Sequence, residues 1–151
     1  MFDKLFPRVF DNAYRGYKAA LWLLGTVAAL KLVQSGAIIF NGYSTVIGAD
    51  GIPLDTYPAA ASQTIVGLFG LISLWRLLFC LLSILVLVRY RSAVPLMLLL
   101  FALQFLGAEL LSQFIPIVRI GTPPGIIVNL ILFALMLIGL ALSLLNRRVH
   151  P

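Results

Sequence analysis

Four strongly polar side chains interrupt otherwise apolar runs of this sequence: Lys31, Arg76, Glu109 and Asn129. Gln34 and Ser35 follow Lys31 at the three- and four-residue steps that share a helix face. Gln104, Ala108 and Ser112 form one strip of another helix, with Glu109 and Gln113 on the next. Each type brings its own chemistry. A guanidinium keeps its proton under all ordinary conditions and binds carboxylate, phosphate or carbonyl oxygens. A carboxyl in an apolar setting, or an ammonium that can lose its proton there, is suited to general acid or base work, which leaves such catalysis to Glu109 or Lys31. The carboxamides of Gln34, Gln104, Gln113 and Asn129 donate and accept hydrogen bonds. No phosphate loop, metal-ligand spacing or Ser-His-Asp order is visible, and the sole histidine, His150, is next to last. Cys80, the only cysteine, lies in an apolar run and reads as an inert buried thiol.

The elements that carry these residues are dictated by hydropathy. Hydrophobic residues make up 62% of the 151 and charged ones 11%, with a mean hydropathy of +1.07. Such a chain belongs in lipid, where a helix needs about 20 apolar residues to cross about 30 Å of hydrocarbon. Four runs of that length fit, over about 19–40, 64–88, 93–115 and 125–145. Short connections make them an all-α, up-down four-helix bundle forming one domain. The first run is too long for a signal-peptide core and reads as a retained span.

Before it, residues 1–18 place Phe2, Leu5, Phe6, Val9, Phe10, Ala13, Tyr14 and Tyr17 at helical spacing opposite charged residues. An amphipathic helix lying in the headgroup layer is expected, starting near Pro7 and bending at Gly16; an extension packed on the base of the bundle is the alternative. Between 41 and 63 come Asn-Gly, Asp-Gly, prolines, tyrosines and aspartates, a loop long enough for a lid; Tyr43 to Ile47 suits a short strand or re-entrant turn. Pro95 suits the first turn of the third span, Pro116 its end, and Thr122-Pro-Pro-Gly a rigid turn before the fourth. Residues 146–151 form a tail.

Lysine and arginine placement sets the orientation. Lys4, Arg8, Arg15, Lys18, Arg89, Arg91, Arg147 and Arg148 fall on one side, and Arg119 alone falls in the loops opposite. Both termini are therefore expected in the cytoplasm. The net charge of +6 gathers at span ends rather than along one basic face, which points to anionic lipid and excludes nucleic acid.

On that topology Asn129 lies about 6 Å below the outer boundary, Glu109 about 9 Å, Lys31 about 13 Å and Arg76 about 18 Å. Lys31 and Glu109 are level enough to pair, and this can be a purely structural ion pair holding the helices in register. Arg76 then lacks a counter-charge. Asp50 or Asp55 folding down from the outer loop, water in a cavity, or a bound headgroup or quinone carbonyl can supply it. A pocket open to the outer leaflet, floored by Arg76 and Lys31, is expected.

A short basic N-terminus, a first span ending in Lys31-Leu-Val-Gln-Ser-Gly36, a proline-bearing outer loop, a second span with Gly67 and Gly70, and two closely connected further spans resemble the DoxX-like group of four-helix bacterial inner-membrane proteins. Where that group tends to carry an acidic residue followed by glycines, this chain has Gly67-Leu-Phe-Gly70 followed by Trp75-Arg76. The resemblance implies a multi-pass protein of the bacterial inner membrane, with links in some members to quinone or redox partners.

The function expected from all this is non-enzymatic: binding of a lipid or quinone-like ligand, or service as an accessory subunit, through Lys31, Gln34, Arg76, Gln104, Glu109, Gln113 and Asn129. Two alternatives are an enzyme acting on a lipid-like substrate through Glu109 and an oligomeric proton or ion carrier. Membrane lipids, further copies of the chain and other membrane proteins are the expected partners.

Overall fold

The computed structural model describes residues 5–7 and 9–145. Every regular element in them is helical: α1 (Lys18–Gly48), α2 (Ala59–Arg89), α3 (Val94–Phe114) and α4 (Pro124–Leu144), with single 3-10 turns at Leu54–Thr56 and Arg91–Ala93. All four α-helices are long and apolar enough to cross a membrane. The chain is an all-α, multi-pass membrane protein.

Side-chain pairings fix the packing. The hydrogen bond from Lys31 to Asn129 and the approach of Leu23 to Gly139 set α1 antiparallel to α4, and the approaches of Gly25 to Leu87 and Gly42 to Val66 set it antiparallel to α2. Leu98 against Gly139 and the stacked Phe105–Phe133 rings, centroids 4.5 Å apart, set α3 antiparallel to α4. Helix α1 is the centre, packed extensively on α2 and α4, and α3 leans chiefly on α4. Between α2 and α3 contact is sparse, despite the short 90–93 turn, and includes the edge-on Phe79–Phe101 rings at 4.7 Å. The main core therefore sits in the half near that turn, where Leu24, Val27, Val94, Leu98, Phe101, Leu132 and Met136 are buried. We call the end holding the 90–93 turn the base and the opposite end the crown.

At the crown, α1 runs past the expected end at residue 40. Asn41 takes a non-helical φ/ψ of −141°/51°, and the chain then resumes as helix to Gly48, so Tyr43 to Ile47 is neither strand nor re-entrant turn. The Thr45 hydroxyl donates to the Asn41 and Ala37 carbonyls and so spans the kink. A Cβ on Gly42 would stand 2.8 Å from Val66, so glycine is what lets α1 lie against α2 there. Beyond the kink, Val46, Ile52 and Leu54 form a second small core over the start of α2.

At the base, residues 9–17 are irregular, so the expected amphipathic helix does not run through them; 1–4 and 8 lie outside the described residues, as does the tail 146–151. Local chemistry explains the difference. The Asp11 carboxylate accepts from the Ala13 amide, a side-chain turn that competes with helix. Asp11 and Ser92 exchange further bonds: the Asp11 amide donates to Ser92 Oγ, and the Ser92 amide and hydroxyl donate to the Asp11 carbonyl. The Tyr17 amide donates to the Leu142 carbonyl, and Gly16 is seated where a Cβ would stand 2.6 Å from the Ser143 carbonyl oxygen. The segment is a strap tied across the base.

Candidate functional site

Lys31 occupies a core position. It continues the buried α1 stripe of Leu24, Val27 and Ala28, with Ser35 and Ile38 beyond it, and only 8% of its surface is exposed. An ammonium there must be bonded, and its Nζ donates to Asn129 Oδ1 of α4 at 2.5 Å. Asn129, not Glu109, is the partner. Continuing the Leu98–Gly139 and Phe105–Phe133 register places Glu109 level with Asn129 along the bundle. The contact fails because Glu109 lies on an exposed flank of α3.

Arg76 is half-buried on α2, within the stripe of buried Ser73, Cys80 and Ser83. It lies within electrostatic reach of Lys31 and of Asp50, the latter from the turn after α1. Of the two aspartates expected as counter-charges, Asp50 is the one within electrostatic reach of Arg76. Asp55 instead accepts a 2.6 Å hydrogen bond from the Tyr43 hydroxyl. Arg119, from the loop before α4, is a third cation acting on Asp50. The outer-loop position of Arg119 is readable from sequence but its approach to Asp50 is not, because that depends on chain segments docked through backbone bonds: Ile120 N to Gly51 O at 2.8 Å and Gly125 N to Ala49 O at 3.0 Å.

Gln34 is half-buried close to Lys31, but neither it nor Gln104 or Gln113 makes a side-chain hydrogen bond among the described residues, and the last two are exposed on α3. The seven expected residues thus divide. Lys31, Arg76 and Asn129 converge with Asp50 and Arg119, Gln34 lies half-buried beside Lys31 without a bond to them, and Gln104, Glu109 and Gln113 do not join them. Ser35, four residues after Lys31, and Ser73, three before Arg76, have buried hydroxyl oxygens without a hydrogen-bond partner. Buried hydroxyls are ordinarily bonded, so the pair marks polar capacity beside the cluster that the protein itself does not use.

No family model, curated protein or solved structure matches this chain. Its site is therefore read from its own chemistry.

Burial pushes the Asp50 carboxyl above the usual aspartate range, against the pull of Arg119, Arg76 and Lys31. Between the ordinary and the raised value the folded chain binds more protons than the unfolded one. The stability contributed by this group is complete below that window and is lost as pH rises through it. In Asp50→Asn this loss should vanish, so thermal melts across the mildly acidic range should lose that part of their slope. An unchanged slope would show that Asp50 does not titrate there.

Proposed function

We propose that this protein binds the polar head of a membrane amphiphile, a lipid headgroup or a quinone carbonyl, at the Lys31–Arg76–Asn129 cluster. The carrying observation is the charge count: Lys31, Arg76 and Arg119 surround one carboxylate, Asp50, whose ionised form burial disfavours. Excess positive charge in a low-dielectric setting attracts an anion or a strong hydrogen-bond acceptor, and a guanidinium cannot escape by losing its proton. The partnerless hydroxyls of Ser35 and Ser73 offer further donors. The lysine and arginine bias places the base in the cytoplasm and the cluster nearer the outer leaflet. The shared order of elements with the DoxX-like group supports a bacterial inner-membrane setting. Binding is favoured over the Glu109 enzyme reading because Glu109 lies on an exposed flank of α3, while Lys31 is already bonded to Asn129.

Native mass spectrometry of the protein extracted in mild detergent tests this reading, since lipid and quinone differ in mass. A charge-assisted hydrogen bond contributes about 1.5–3 kcal/mol, so Arg76→Leu should weaken retention about tenfold or more. An Arg76→Leu protein that folds more stably and retains as much lipid or quinone as the parent would refute it.

A further inference from the structure

The half of α3 nearest the crown is almost unsupported by its own chain: from 103 to 114 only Phe105, stacked on Phe133, and Ser112 are less than exposed. Gln104 lies ten residues before the helix end at Phe114, about 15 Å deep, close to the middle of the hydrocarbon. Acyl chains offer its carboxamide nothing to bond. On the next turn, a Cβ added to Gly107 would meet nothing within 4 Å, so packing within the chain does not account for this glycine.

We infer that two copies of this chain associate through this flank of α3, with Gln104 meeting Gln104 of the second copy. Copies inserted in the same orientation can be related only by an axis along the membrane normal, so a residue beside the axis meets its own counterpart at equal depth. A charged residue there would face its like. A carboxamide carries both donor and acceptor, and two of them satisfy each other across a two-fold axis. Gly107 and Ala108, one turn away, permit close approach of the two backbones. Glu109 lies about 140° around the helix from Gln104, which keeps the two carboxylates off the axis. Phe105, about 100° around, stays on its own α4 and holds the flank outward. The inference needs the membrane setting but not the headgroup reading.

Two measurements in proteoliposomes test it. In a Cys80→Ala background, Leu100→Cys on this flank should form an intermolecular disulfide, whereas Ile131→Cys on exposed α4 should not. In dilution experiments read by energy transfer between labelled copies, Gln104→Leu should lower the association constant about three- to tenfold, the range for interhelical polar pairs in membranes. Gly107→Ile should act in the same direction while leaving the monomer folded, since its side chain enters open space. Three outcomes would overturn the inference: a parent that stays monomeric over the whole dilution range, variants that associate as the parent does, or equal cross-linking from Ile131→Cys.

Discussion

Replacing Asn129 with leucine is expected to destabilise the bundle by about 1.5–3 kcal/mol, the range for a hydrogen bond to a charged group. Neutral interhelical hydrogen bonds in membranes average only about 0.6 kcal/mol, because the unfolded helices find other partners in the bilayer. The Lys31–Asn129 bond should exceed that average because its donor is an ammonium at a core position with 8% exposure. Most of the loss would come from leaving that ammonium unbonded rather than from the missing bond itself. Adding Lys31→Met to the Asn129→Leu chain should therefore restore much of the stability, since methionine continues the apolar stripe of Leu24, Val27 and Ala28. Reversible unfolding in mixed micelles of the parent, the two single variants and the double variant would give the coupling directly. Additive single losses would mean that the two side chains do not depend on each other. A loss of about 0.5 kcal/mol or less in Asn129→Leu would mean that the ammonium readily finds another acceptor.

The sequence made the helices legible because hydropathy over twenty residues depends on no partner, and it located the polar intruders for the same reason. Depth was legible too, since rise per residue places Lys31, Asn129 and Glu109 at comparable levels. Azimuth was not. Whether Glu109 turns toward Lys31 or away depends on how far α3 stands from α1, and those helices touch only sparsely. Without distances an acid outranks an asparagine as the partner of Lys31, because opposite charge dominates. The strap at residues 9–17 was hidden for a related reason: its spacing fits an amphipathic helix, but Ser92 and Leu142, distant in sequence, claim its backbone groups. The crown was half legible. Asp50 and Asp55 were both candidates, and what separates them is the Tyr43 hydroxyl bonded to Asp55 and the docking of the 115–123 loop over Gly51.

That docking makes Gly125→Val the substitution expected to disturb the crown most. A Cβ on Gly125 would stand 2.6 Å from the Ala49 carbonyl oxygen, a backbone atom that also accepts the Gly125 amide and so has little freedom to retreat. The turn it would displace is held on its other side as well. Gly51 has φ +69°, a Cβ there would lie 3.0 Å from the Pro123 ring, and its carbonyl accepts the Ile120 amide. Lifting the turn would break these contacts together, at a cost of about 1–3 kcal/mol by analogy with overpacked cores. It would also carry Asp50 away from the three cations, because Asp50 Oδ1 lies within 3.6 Å of the same added atom. The control is Gly67→Ala on α2, where an added Cβ meets nothing within 4 Å and helix propensity favours alanine, so stability should hold or rise. Opposite signs in the two variants would show that the crown turn is seated on the start of α4. Equal, small effects would place it free of α4, and Asp50 would then no longer be the group that balances Arg76.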